Sequence, residues 1–444
     1  MTRCKRIYIF ILLFAVFVPS MKIQAAYRDS QGKVHLKPGL CQTVDKLEKS
    51  MDDMVKEFIE GPSDWVKSGY YSYEFLDSKK RYITIRKIDS GAVEGKKLVI
   101  PKEIDGHQVL GVGLWTDWMV SAYEDYYRVI DRKLDLAEFV LPEGLEFLGA
   151  SSFKGCSGLK GISLPDSLVM IRKQALYDCN IGQMELPPGV YVEGGALSGS
   201  GIDVGEEEDN GGLPFQRCSL WNITMYSDSL VSFSNTWSAD WGFAQLHIRY
   251  HEKDSYSLDL PGFIEKLYID KKLSKFQLGV AYKYEQGQDD EWLDNVRQDY
   301  CVNKLIVNGK KTKLGLSKRE SDEQPPDGIK GLYTIKGAAA IKGAKKYRIP
   351  YYWKKTGKAV TVKGKKKNGV YLANWKKIKT IVCKYFFSTG KGRWKTKKSP
   401  GKTIYNVYGK KKKSGTYKFV RTTKKKSIKS EYKYVKAVPV KEWD

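Results

Sequence analysis

The chain has 444 residues, 41% apolar and 13% aromatic, with a net charge of +26. That is too apolar for a wholly disordered polymer and too polar for a multi-span membrane protein, and the length predicts about two to four domains. The charge is segregated: residues 331–444 hold 32 Lys and 3 Arg against three acids, while residues 1–330 hold 42 basic and 48 acidic groups. A seam between chemically different modules near residue 330 is the simplest reading.

In chain order, residues 1–6 are short and basic, residues 7–18 are an apolar run, and Pro19 follows. Ala25 and Ala26 precede a polar turn, which gives the layout of a secretory signal over residues 1–26. Twelve apolar residues are too few to span a bilayer comfortably. The expectation is an exported protein, released or held at the cell surface, with no transmembrane domain once the signal is cleaved. Six cysteines then remain: Cys41, Cys156, Cys179, Cys218, Cys301 and Cys383. No CxxC pair occurs among them, so neither a zinc knuckle nor a redox dithiol is indicated.

Residues 27–95 read as an N-terminal cap of helix plus hairpin. Val44, Leu47, Met51, Met54, Val55, Phe58 and Ile59 follow helical spacing, with Gly61-Pro62 as the stop. Residues 71–75 and 82–88 alternate in hairpin fashion.

Residues 96–202 repeat. LAEFVLPEGLEFLGASSFKGCSG is followed by LKGISLPDSLVMIRKQALYDCN and IGQMELPPGVYVEGGALSGSG. Pro142, Pro165 and Pro187 recur at near-equal steps. Leu141, Leu164 and Leu186 precede them, and Leu145, Leu168 and Val190 follow at one offset. Phe153 aligns with Leu176, and Cys156 with Cys179. A period of this length marks a solenoid in which each coil shares its core with the next. Leu141, Leu145, Phe153, Cys156, Leu164, Leu168, Leu176, Cys179 and Leu186 are the expected repeat core.

The IPxxIDGxxV opening and the LPxxLxxLGxxxFxxC unit resemble the BspA-like (TpLRR-type) leucine-rich repeats of bacterial surface and secreted proteins. The resemblance implies a leucine-rich-repeat solenoid of short stacked strands, mostly β with some helix. It also implies adhesion or ligand binding outside the cell in place of a conserved chemistry. The stretch WTDWMVSAYEDYYRVIDRK departs from the pattern as an aromatic, acidic insertion. Trp115, Trp118, Tyr123, Tyr126 and Tyr127 are therefore the candidate partner-binding residues, for a protein or glycan.

Residues 203–354 read as degenerate repeats, an insertion and a closing cap. GEEEDNGG at 205–212 reads as an acidic turn. IEKLYIDKKLSKF and VNKLIVNGKKTKL each carry a short apolar strand, and LYTIKGAAAIKGAKKYRIP reads as strand, short helix and extended exit.

Residues 355–444 read as a Lys-rich all-β module, sandwich-like, with strands near 370–375, 380–387, 403–408, 416–422 and 431–440. Trp375 and the SGTYKFV segment resemble a bacterial fibronectin type III module. The lysine clusters are expected in loops between strands. Lys365, Lys366, Lys367, Trp394, Lys397, Lys398, Tyr405, Tyr408, Lys411 and Lys412 form the candidate polyanion surface, for an anionic wall polymer, acidic glycan or extracellular DNA. Being Lys-rich and Arg-poor, it argues for charge attraction and against sequence-specific nucleic-acid readout.

No catalytic residue, metal ligand or cofactor is assigned. His247 and His251 form an HxxxH pair without the glutamate of a zinc protease, and no GxSxG elbow, P-loop or GxGxxG occurs. The expectation is a non-catalytic binding protein, with an enzyme site in 203–330 as the lesser alternative.

Overall fold

The computed structural model describes residues 26–31, 33–116, 124–131, 134, 136–159, 161–177, 179, 181–193, 196–197, 219–231, 241–260, 263–280, 282–286, 292–297, 301–316, 329–388, 391–440 and 443. All but Ala26 of the expected signal at 1–26, the expected acidic turn at 205–212 and Cys218 lie outside the described residues.

The repeat builds two sheets joined coil by coil. In each coil a first strand (Leu98, Phe139 or Ile162 at its centre) buries one apolar side chain, and proline then turns the chain. The carbonyls of Pro142, Pro165 and Pro187 accept the N–H of Leu145, Leu168 and Val190 at 3.2, 3.1 and 3.4 Å. The shared offset read in the sequence is thus one recurring turn. A two-residue strand follows (Phe147–Leu148, Met170–Ile171, Tyr191–Val192). Phe153 and Leu176 then fill the far corner, where their N–H groups bond to Ala175 and Ala196 of the next coil.

Coils stack with their strands in register. Leu98 lies beside Phe139 and Phe139 beside Ile162. The column continues through Met184, Ile223, Leu246, Leu267, Leu305, Leu332 and Tyr351. Leu141 and Leu186 are buried two residues after their column positions, and Leu164 is half-buried there. Cys156 and Cys179 are buried, and the Cys179 thiol donates to the Phe153 carbonyl one coil away at 3.1 Å. Their role is packing.

The long sheet gathers thirteen described strands, and its neighbours are parallel from Lys97–Val99 to Tyr351–Thr356. The irregular stretch after 203 therefore continues the same solenoid. Strands Phe263–Ile269 and Cys301–Val307 add coils whose return strands, Lys275–Val280 and Lys313–Leu316, pair in parallel. The strand, short helix and exit read at 332–350 are Leu332–Ile335, the helix Ala340–Lys346 and Tyr351–Thr356, and the sheet continues beyond them.

At the N-terminal end the hairpin Tyr71–Phe75 and Tyr82–Ile88 forms as read, and its second strand pairs with His107–Val112. It lids the first coil by extending the second sheet. The helix is shorter than its periodicity predicts. It runs Met51–Glu60, because Ser50 caps it by accepting the Asp53 N–H at 3.1 Å. Upstream, Glu146 accepts the N–H groups of Leu40 and Cys41 at 2.9 and 2.7 Å and holds a short 3-10 turn. Val44 and Leu47 lie outside the helix and pack on the outside of the second sheet, beside Leu110, Phe147, Met170 and Tyr191.

The lysine-rich stretch is all-β with antiparallel sheets, but it is not set apart from the solenoid. Thr380–Ser388 and Arg393–Gly401 join the long sheet as its last two strands, the first antiparallel to Tyr351–Thr356 and the second antiparallel to the first. The other strands form a four-stranded and a three-stranded sheet around Ala373, Trp375, Ile378, Tyr405, Val407, Ile428, Val435 and Ala437.

Candidate functional site

Each coil has two outward faces, and they are treated differently. Residues 34–47 cover the outside of the second sheet, with Val34, Leu36, Val44 and Leu47 as the apolar contacts. Lys37 clamps this cover by donating to the carbonyls of Asp166 and Pro188 at 2.9 and 3.0 Å. Burial pulls the Lys37 pKa down, with Asp166 and Asp228 opposing. The outer face of the long sheet has no comparable cover among the described residues.

Its outward positions form a row, one residue per strand. The row runs Val99, Val140, Ser163, Glu185, Thr224, His247, Tyr268, Ile306, Tyr333, Tyr352, Lys384 and Lys397. Chemistry changes along it. Glu185 accepts from Arg249 and from the Tyr226 hydroxyl. His247 and Tyr268 then stack at 4.2 Å and 2°, and Tyr333 and Tyr352 at 4.4 Å and 4°. Lys384 sits over the Tyr352 ring at 5.2 Å and near Phe386 at 5.7 Å. Burial, with Tyr352 beside it, pushes the Tyr333 hydroxyl up to about 12. Burial, with Arg249 nearby, lowers the His247 pKa, so that ring is neutral at pH 7. Trp443 lies across this face. It is edge-on to Tyr333 at 5.0 Å, donates its Nε1–H to the Thr334 carbonyl and exchanges two 3.1 Å hydrogen bonds with Asn308.

This row was missed because it depends on register between coils more than 20 residues apart. A signal for it exists: Leu246-His247-Ile248, Leu267-Tyr268-Ile269 and Leu332-Tyr333-Thr334 each set the outward residue between two buried ones, while Ile306 at the same register is itself 2% exposed.

The insertion aromatics are placed differently from the expectation. Trp115 is 7% exposed and meets Phe147 edge-on at 5.2 Å; Tyr127 is 1% exposed and packs with Met54, Leu114 and Ala150. Tyr126 is half-buried between Phe58 and Tyr127. These three rings are internal props, because the adjoining helix and the buried guanidinium of Arg86 need apolar and π surface around them. Trp118 and Tyr123 lie outside the described residues.

The basic candidates divide. Lys365, Lys366 and Lys367 form a strand, and Lys397 and Lys398 lie within Arg393–Gly401, so neither cluster is a loop. Lysines fit these strands because they lie at sheet margins, where the backbone pairs and the side chains reach water. Lys411 and Lys412 do lie in a turn, and Lys411 pairs with exposed Glu431 at 2.8 Å. Tyr405 is no platform: it is 1% exposed, meets Trp375 at 5.5 Å and accepts the Ile378 N–H. Trp394 faces the solenoid core, tilted on Tyr351 at 5.5 Å. Tyr408 is half-buried and edge-on to Phe419, which is 59% exposed.

His247 and His251 do not converge. His251 Nδ1 lies 2.6 Å from Asp228, whereas His247 belongs to the aromatic row. Among the described residues, the carboxylates of Glu57, Asp64 and Glu74 approach one another closely. Arg86 and Lys49 already engage Glu57 and Glu74, which makes the cluster an ion-pair network.

Among the described residues no helix is long and apolar enough to cross a membrane. No curated protein matches the chain. Solved structures similar to it include the following. The T. pallidum leucine rich repeat protein TpLRR shares 15% identity over 48% of this chain and 86% of its own, with a TM-score of 0.23. A leucine-rich repeat protein from Bacteroides ovatus ATCC 8483 shares 12% over 61% and 70%, with a TM-score of 0.22. A leucine rich cell surface protein from Faecalibacterium prausnitzii A2-165 shares 12% over 58% and 96%, with a TM-score of 0.14. Residues 131–198 match the family model described as a BspA type leucine rich repeat region (6 copies), so the coils within that span are similar to repeats of that type.

Proposed function

We propose that the protein is an exported, non-catalytic binding or adhesion protein whose recognition face is the outer face of the long sheet. One observation carries this reading: residues 34–47 cover one outward face of the coils, and among the described residues the other has no such cover except at Ile306, which is 2% exposed, and at Tyr333, which Trp443 meets edge-on. A rigid, elongated, in-register surface suits a macromolecular partner, as solenoids generally do. The test is binding to immobilised extracellular proteins and glycans. Charge reversal at outward Lys97, Glu138 and Glu185 should abolish capture of the partner, and reversal at Lys33 and Lys46, on the covered side, should not. Equal loss from both sets would refute the assignment of the face.

A second reading, retention on an anionic cell surface, is favoured by charge. Among described residues 351–440 the only carboxylate is Glu431. Deleting residues 355–444 does not test this, because the deletion strips two strands from the long sheet. Replacing Lys365, Lys366 and Lys367 with glutamine keeps the fold and should release the protein from cells at lower salt. An unchanged release profile would refute retention through these lysines.

A further inference from the structure

We propose that the row from His247 to Lys397 is a binding track for an acidic polysaccharide. The proposal rests on the reading of the open face as the recognition face and names its ligand class.

The first argument is dimension. Successive residues of the row sit on neighbouring strands about 4.8 Å apart, so His247 to Lys397 extends about 29 Å. That length suits a polymer lying across the strands and exceeds any single small molecule.

The second is what the rings offer. His247 and Tyr268 cover each other's faces, as do Tyr333 and Tyr352. Apart from Tyr333, which Trp443 meets edge-on, the rings therefore present edges and phenol hydroxyls outward. Bases of a single-stranded nucleic acid need open aromatic faces, and these are occupied. A polymer rich in hydroxyl groups finds hydrogen-bond partners in a line.

The third is charge at one end. Lys384 is held over Tyr352 and Phe386, and no carboxylate pairs with it among the described residues. Lys397 is next in the row. The nearest acid on the track, Glu265, is already bound by Asn303 and by Lys304 at 2.8 Å. Ammonium groups are strongly hydrated point charges that suit scattered carboxylates on a flexible polymer.

The experiment titrates the full chain with polygalacturonate, neutral dextran, heparin and single-stranded poly-dT. Wild type should bind polygalacturonate and ignore dextran. Lys384→Gln with Lys397→Gln should weaken it about tenfold at low salt. Tyr333→Phe with Tyr352→Phe, which keeps the stack and removes the hydroxyls, should weaken it about threefold at high salt. A Lys424, Lys425 and Lys426 glutamine triple, at exposed lysines outside both candidate surfaces, should bind as wild type. Equal loss in that triple would reduce the effect to diffuse attraction and overturn the track. Tighter binding of poly-dT or heparin would overturn the ligand class. If polygalacturonate does not bind but reversal at Lys97, Glu138 and Glu185 still abolishes a partner, the track fails and the recognition face stands. If neither responds, both fall.

Discussion

Replacing Arg86 with methionine keeps most of the side chain's length and removes its charge. The guanidinium is 1% exposed and lies 2.7 Å from Glu74 and 3.6 Å from Glu57, with the rings of Trp65 and Tyr126 at 4.7 and 5.2 Å. Burial alone would lower its pKa, but Glu74, Tyr126 and Glu57 together raise it. Without Arg86, two buried carboxylates are left to share Lys49. Breaking a buried pair from one side costs about 3–5 kcal/mol, mostly the penalty of the stranded charge. Urea unfolding, followed by tryptophan fluorescence and by circular dichroism, should show a loss of that size for Arg86→Met. Adding Glu74→Gln to that variant should recover at least about 1 kcal/mol, because the stranded charge goes with it. A loss under about 1 kcal/mol, or a further loss in the double variant, would refute the view that this ion pair ties the helix Met51–Glu60 to the hairpin.

Three other outcomes are expected. Phe153→Ala should cost about 3–5 kcal/mol in the same urea assay, since Phe153 is buried, meets Phe139 at 4.4 Å and sits under Cys179; a cost under about 1.5 kcal/mol would mean the coils do not share a packed corner. Gly149→Ala should cost about 1–3 kcal/mol in thermal unfolding, because a Cβ there would run into the backbone of Gly113 and Leu114, which cannot swing aside. Asp77 is pushed up by burial, but hydrogen bonds from the Arg81 side chain and from the N–H groups of Arg81 and Tyr82 outweigh this and lower its pKa. Its contribution is therefore present above the ordinary carboxylate pKa near 3.9 and is lost as pH falls through the lower folded value. Melting temperatures from pH 7 to pH 3 should fall less steeply for Asp77→Asn, and parallel curves would contradict this.

The coils were legible because their signal is local and periodic. Pro142, Pro165 and Pro187 each sit three residues before a buried aliphatic, and one turn satisfies the backbone there. The hairpin at 71–88 was legible for the same reason. Val44 and Leu47 show where periodicity misleads. Their spacing matches a helix, but their burial is on a sheet, and Glu146, a hundred residues on, fixes the backbone before them. The aromatic candidates failed on one ambiguity: Trp115, Tyr127 and Tyr405 have the composition of a binding surface and of a core alike, and only packing decides between them. The row from His247 to Lys397 was illegible as a row because no single coil contains more than one of its members.

The lysines that composition assigned to one basic surface divide by register. Arg393–Gly401 is the last strand of the long sheet, and among the described residues nothing pairs with its outer edge. Such an edge recruits other strands unless charge or proline blocks it. Lys395, Lys397, Lys398 and Pro400 all lie on this strand. At the other end the sheet stops on the two-residue strand Val93–Glu94, too short to template a partner. Lys397 lies opposite Lys384 and shares the open face with Tyr352, whereas Lys398 lies opposite Cys383, whose side chain is buried. The pleat therefore gives adjacent lysines different tasks: Lys397 extends the recognition face, and Lys398 guards the rim. Net charge cannot distinguish these tasks, and strand register does.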